Sequence, residues 1–143
     1  MYAKDLMQVQ KLWACSESSD CRHVAQMMLE HNVGSIPVLD EQGRLEGIVT
    51  DRDICCRIVA EGKSYETPVR EVMTPQVRTC RPDTSLKEVE SVMKEYRIRR
   101  LPVVDEESRL QGFISLADLA RECHGLIQEH RLAEVLESVS AAS

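Results

Sequence analysis

The stretch Ile36-Pro37-Val38-Leu39-Asp40-Glu41-Gln42-Gly43-Arg44-Leu45-Glu46-Gly47-Ile48-Val49-Thr50-Asp51-Arg52-Asp53-Ile54 is written a second time, 65 positions later. The second copy reads Leu101-Pro102-Val103-Val104-Asp105-Glu106-Glu107-Ser108-Arg109-Leu110-Gln111-Gly112-Phe113-Ile114-Ser115-Leu116-Ala117-Asp118-Leu119. Eight of the nineteen aligned pairs are identical, and most of the others exchange like for like. A repeat of this length and period marks two units of one supersecondary design. The match runs outward as well: Cys15 aligns with Cys80, Val24 with Val89 and Met28 with Met93, while Lys4-Asp5-Leu6-Met7 meets Arg70-Glu71-Val72-Met73 one residue further on. The chain up to about residue 124 is a tandem pair.

A chain of 143 residues suits one compact domain, and half of it would bury too little surface to hold a core alone. The two repeats are therefore expected to pack against each other. With 43% hydrophobic and 29% charged residues, the composition is that of an ordinary soluble globular protein. No apolar run reaches membrane-spanning length, and Met1-Tyr2-Ala3-Lys4-Asp5 lacks the apolar centre of a signal peptide, so a cytoplasmic protein without membrane partners is expected. A net charge of −6 argues against a dedicated nucleic-acid binder, which needs a concentrated basic face. Cys15, Cys21, Cys55, Cys56, Cys80 and Cys123 form no Cys-x-x-Cys, and the four histidines show no ligand spacing to them. They are expected to be reduced, mostly buried thiols, and no metal site is expected.

Each repeat reads β-α-β-β-α, an α/β (α+β) pattern. In the first, a short strand near Leu12 to Cys15 leads through the polar run Ser16-Glu17-Ser18-Ser19-Asp20 into a helix to about His31, where Asn32 and Gly34 end it. A strand over 36–39, a turn at Asp40-Glu41-Gln42-Gly43, a strand over 45–49 and a helix from Asp51 to about Ala60 follow. In the second, a strand near Val77 to Cys80 precedes a helix started by Ser85 and Glu88 at capping-box spacing, then a hairpin and a helix from Leu116 to about His124. Ser108 replaces the turn glycine of the first hairpin, which predicts a different turn or mild strain there. The expected division is repeat one over 1–62, a polar linker over 63–68, repeat two over 69–124 and an amphipathic C-terminal helix over 125–143. In that helix Leu126, Ile127, Leu132, Val135, Leu136 and Val139 form the apolar stripe, suited to packing on its own chain or to docking another protein.

Both hairpins end in Gly-apolar-apolar-Thr/Ser-x-x-Asp, with Thr50 and Asp53 in one and Ser115 and Asp118 in the other. A hydroxyl followed three residues on by an acid is a capping box, and helix initiation by itself accounts for it, at about 1 kcal/mol. The same atoms also suit a ligand. A hydroxyl with unpaired backbone N–H groups at a helix start can seat a phosphate, and a carboxylate one turn in can accept both hydroxyls of a ribose. Gly47 and Gly112 would let a ligand or a neighbouring backbone approach closely. No nucleophile–base pair or independent glycine-rich phosphate loop is present, so an enzyme is not expected.

The doubled pattern, with Ser35-Ile36-Pro37-Val38 and Arg100-Leu101-Pro102-Val103, the Leu-x-Gly hairpins and the two Thr/Ser-x-x-Asp endings, resembles a tandem pair of cystathionine-beta-synthase (CBS) domains, the Bateman module, of the stand-alone bacterial type. That resemblance covers about residues 4 to 124. It implies regulation through an adenosyl ligand, namely AMP, ADP, ATP or S-adenosylmethionine, held in clefts between the repeats and signalled to a regulated protein. It places Asp53 and Asp118 on ribose and Thr50 and Ser115 on phosphate. Ile36, Leu101, Leu12 and Val77 become candidates to flank the base. It also implies a homodimer formed through the helices. Arg99 and Arg100 precede the second strand where the first repeat has Gly34 and Ser35, and Arg52 lies inside the first motif where the second has Ala117. These arginines are the phosphate candidates, and their asymmetry predicts unequal sites. The alternative function is a ligand-free homodimer that serves as a structural or docking unit.

Overall fold

The computed structural model describes residues 1–9, 13–122 and 126–140, with the backbone alone for 126–129. The chain forms two compact units, one built from Lys11–Val77 and the other from Met1–Gln10 together with Arg78–Ser143. The sequence repeats and the packed units are thus cut differently: residues 1–10 open the first repeat but pack in the second unit, and residues 69–77 open the second repeat but pack in the first.

In the first unit, Asp20 caps helix α2 (Cys21–His31) by accepting the His23 N–H at 2.7 Å. Asn32 closes it in the left-handed region at φ 52°, donating its N–H to Met28 O. (Helix α1, Ala3–Leu6, belongs to the second unit.) Strands β1 (Ser35–Leu39) and β2 (Leu45–Thr50) then form an antiparallel hairpin, with Ser35 opposite Thr50. Helix α3 (Asp51–Ile54) runs on as a π turn over Cys55–Val59, where the Ala60 N–H reaches back to Cys55 O at 2.9 Å. A 3-10 turn at Val69–Glu71 leads to β3 (Thr74–Pro75), which pairs antiparallel with β2.

The second unit repeats this plan. Ser85 caps helix α4 (Leu86–Tyr96) in a full capping box with Glu88, and Arg97 ends it at φ 54°. Strands β4 (Arg100–Val104) and β5 (Leu110–Ser115) form the hairpin, and α5 (Leu116–Arg121) follows. The part that β3 plays in the first unit falls here to Gln8, which exchanges two backbone hydrogen bonds with Phe113. The last helix, α6 (Leu126–Ser140), lies along α4, tied by Arg131–Glu90 at 3.1 Å and Lys94–Glu134 at 3.2 Å.

Each unit has its own apolar centre. Val24, Met28, Ile36, Val38, Val49 and Ile58 pack with Val69 and Val72 in the first. Val89, Met93, Leu101, Val103, Ile114 and Leu119 pack with Ala3, Val135 and Val139 in the second. The stripe of the C-terminal helix is therefore spent on its own chain at Val135 and Val139, while Leu136 stays exposed. The side chains of Leu126 and Ile127 lie outside the described residues.

The structure departs from the sequence expectations at two places. Of the leading strand expected in each repeat, the described residues show a single parallel bridge, Cys15 to Val38 and Cys80 to Val103. The hairpin with Ser108 uses the same turn as the one with Gly43: Ser108 takes φ 65° and Gly43 φ 80°. Both turns are held by an aspartate, Asp40 or Asp105, that accepts the N–H two and four residues on at 2.8–2.9 Å and pairs with the arginine of the turn. Thiols divide into buried Cys15, Cys21 and Cys80 and exposed Cys55 and Cys56, all free; Cys123 lies outside the described residues. Among the described residues, no helix is long and apolar enough to cross a membrane, and no three acidic, histidine or cysteine side chains are grouped to hold a metal ion.

Candidate functional site

Each hairpin delivers its last residue as the N-cap of the following helix. At the first motif, the Asp53 N–H donates to Thr50 Oγ1 at 3.1 Å and the Thr50 N–H donates to Asp53 Oδ2 at 2.9 Å. At the second, the Asp118 N–H donates to Ser115 Oγ at 3.2 Å, and the Ser115 N–H and hydroxyl both donate to Asp118 Oδ2, at 2.7 and 2.9 Å. Both motifs are therefore realised as complete capping boxes. One carboxylate oxygen of each aspartate is committed to the helix start, and the other remains to decide what the site can do.

That second oxygen differs sharply between the units. Asp53, with 13% of its side chain exposed, has Oδ1 facing Arg57 Nε at 3.8 Å, an ion pair beyond hydrogen-bond reach. Arg57 instead donates from Nη1 to Val72 O at 2.9 Å. Asp118 is only 4% exposed, and its Oδ1 accepts from Gln8 Nε2 at 3.2 Å and from Arg121 Nη2. Arg121 was reachable from sequence, since it lies three residues beyond Asp118 on one helix face. Gln8 was not, because it comes from 110 positions away.

The arginines sit where the strands begin. Arg99 is exposed and its carbonyl accepts the Leu116 N–H at 2.9 Å, as Gly34 O accepts the Asp51 N–H at 3.0 Å in the first unit. Arg100 is directly across the hairpin from Ser115, and its guanidinium lies 5.0 Å from the centre of the Phe113 ring. The second helix start thus has two arginines beside it, the first has none at the aligned positions, and Arg52 is exposed on the first turn of α3. The first start carries an additional acid instead: Asp51 lies against Gly34, where a Cβ would be 3.2 Å from Asp51 Oδ2. Asp51 was not singled out from sequence, although its counterpart Leu116 already marks the contrast.

Of the apolar candidates, Ile36 and Leu101 are fully buried in their units' centres. Val77 is half-buried, and Leu12 lies outside the described residues. Gly47 and Gly112 serve backbone approach. A Cβ on Gly47 would be 2.7 Å from Thr74 O, and one on Gly112 would be 2.8 Å from Gln8 O. The glycine of each hairpin is required because a third segment crosses directly over it.

Comparison with known proteins places this geometry in a family. The model of the CBS domain matches twice, over residues 3–60 and 69–125. A CBS domain-containing protein of Bacillus subtilis, YhcV, is 43% identical over 117 residues, covering 82% of this chain and 81% of its own. Among solved structures, the CBS domain pair of protein MJ0100 in complex with methylthioadenosine and S-adenosyl-L-methionine superposes with a TM-score of 0.74 at 28% identity, covering 85% of this chain and 94% of that one. CBSX2 in complex with AMP gives 0.75 at 26% identity, with 85% and 94% covered. With two family matches that together span most of the sequence and two units of one plan, the chain belongs to the CBS domain family.

Proposed function

We propose that this chain is a regulatory module that binds an adenosyl ligand (AMP, ADP, ATP or S-adenosylmethionine) at its Thr50–Asp53 and Ser115–Asp118 motifs and passes the change to a regulated protein. The observation that carries it is the Asp53 carboxylate, which keeps Oδ1 without a hydrogen bond among the described residues one turn past a capped helix start. Such an oxygen can accept both hydroxyls of a ribose, with charge-assisted bonds worth roughly 1.5–3 kcal/mol each. The relatives crystallised with AMP and with S-adenosylmethionine support the same ligand class. Thr50 and Ser115 take the phosphate side, with Arg52 at the first motif and Arg99 and Arg100 at the second. Val77 and the strands through Ile36 and Leu101 are assigned to the base; Leu12, the fourth candidate, lies outside the described residues. Occupancy acts through differential affinity for two shapes of the module, so the chain is a binder and not a catalyst.

A homodimer is part of this proposal, supported by Leu29, 85% exposed on α2, and Val59, 71% exposed on the π turn. Calorimetric titration with AMP, ATP and S-adenosylmethionine tests the ligand assignment. Saturation should raise unfolding stability by about 2.7 kcal/mol at a hundredfold excess over Kd, and Asp53→Ala with Asp118→Ala should abolish it. Absence of heat and of thermal shift with all three would leave the chain a ligand-free docking unit.

A further inference from the structure

The two motifs share a fold but differ in what stands over the acid. In the second, Asp118 Oδ1 already holds two donors, Gln8 Nε2 and the Arg121 guanidinium, and a carboxylate oxygen has about two acceptor positions. Its Oδ2 is filled by the Ser115 N–H and hydroxyl. No position on Asp118 is left for a ribose hydroxyl, and 4% exposure leaves little room to add one. Arg121 itself is 64% exposed, so it covers the acid from the solvent side and can swing away.

The first motif lacks both devices. Thr74 occupies the place of Gln8, crossing over Gly47 as Gln8 crosses over Gly112. Its side chain is shorter than that of Gln8, and the described residues show no hydrogen bond from it to Asp53. Cys56 occupies the place of Arg121 and has no charge to offer a carboxylate. The nearby arginine, Arg57, is one residue further along and is drawn off by the Val72 carbonyl.

We infer that Gln8 and Arg121 form a latch over the carboxylate of the second motif, so that an adenosyl ligand loads the first motif before the second. This rests on the ligand assignment above and adds an order of loading to it. The ligand must displace Gln8 or Arg121 to reach Asp118, at the cost of a charge-assisted hydrogen bond that it need not break at Asp53. A difference of at least tenfold in affinity follows.

The test isolates the latched motif. AMP and, separately, S-adenosylmethionine are titrated into the full chain carrying Asp53→Asn, then into the same chain carrying Gln8→Ala and Arg121→Ala as well. The first chain should bind at least tenfold more weakly than the unmodified protein, and removal of the latch should recover about tenfold. Gln8→Ala alone, on an exposed side chain, should recover part of it and guards against a folding defect in the triple variant. Asp118→Asn alone should leave the stronger site intact. If Asp118→Asn instead removes the stronger site, or the latch substitutions weaken binding, the latch is wrong while the ligand assignment stands. If the unmodified chain binds neither probe, the ligand assignment itself fails and the loading order goes with it.

Discussion

Replacing Gly112 by alanine sets a single methyl group against a backbone carbonyl. The new Cβ would lie 2.8 Å from Gln8 O and 3.3 Å from the Met7 side chain, whereas ordinary contact begins at 3.4 Å. The crossing segment must retreat by about 0.6 Å. It is held there by Gln8 N–H to Phe113 O at 2.8 Å and Phe113 N–H to Gln8 O at 3.2 Å, so both bonds lengthen together. Each contributes about 1 kcal/mol net. Alanine returns about 0.4–1 kcal/mol by restricting the unfolded chain. The expected balance is a loss of about 1–2 kcal/mol, or about 3–6 °C in melting temperature for a chain of this size. Urea denaturation followed by circular dichroism reads it. Gly47→Ala should behave alike, since its Cβ would meet Thr74 O at 2.7 Å. An unchanged or raised midpoint for both would refute the view that these glycines exist for the crossing segment.

Ser108→Gly should stabilise by about 1 kcal/mol, because Ser108 sits at φ 65° where a side chain is strained, and Gly43→Ser should cost a similar amount; the same denaturation series checks both. At pH 8, thiol titration with Ellman's reagent should find Cys55 and Cys56 fast, while burial pushes Cys15 and Cys80 up to about 11 and delays them until the chain unfolds. The neighbouring Glu17 carboxyl, and then burial, raise the Glu46 carboxyl above its ordinary value. The folded state therefore holds a proton that the unfolded chain releases, and stability falls as pH rises from the ordinary carboxylate value through the raised one. Glu46→Gln should flatten that segment of a stability–pH profile, and an unaltered slope would count against the pairing.

Local chemistry made much of the fold legible. Asp20 and Ser85 as caps, Asn32 as a left-handed stop and the two hairpins each depend on residues within four positions of one another, which a linear pattern displays. The helix starts at Thr50 and Ser115 were legible for the same reason, and the structure shows their hydroxyls and acids serving the helix itself. What stayed hidden was non-local. The strands expected near Cys15 and Cys80 reduce to single bridges among the described residues, because whether the chain stays beside β1 or β4 is decided by its tertiary path and not by its own composition. Gln8 reaches Asp118 only once the N-terminal segment has crossed β5, and nothing in the first ten residues announces that crossing. The direction taken by Arg57, toward a carbonyl instead of toward Asp53, likewise depends on where residue 72 comes to rest.

The crossing segments also decide how this molecule could be divided. Residues 7–8 lie against the 110–115 strand and residues 74–75 against the 45–50 strand, so each hairpin borrows its outer border from the stretch of chain that introduces the other repeat. A gene sliced at the polar stretch between the repeats would therefore yield two fragments, each carrying its neighbour's border and missing its own. Halves able to stand alone would have to be cut at about residues 10 and 77, with the N-terminal ten residues rejoined to the fragment that begins at Arg78.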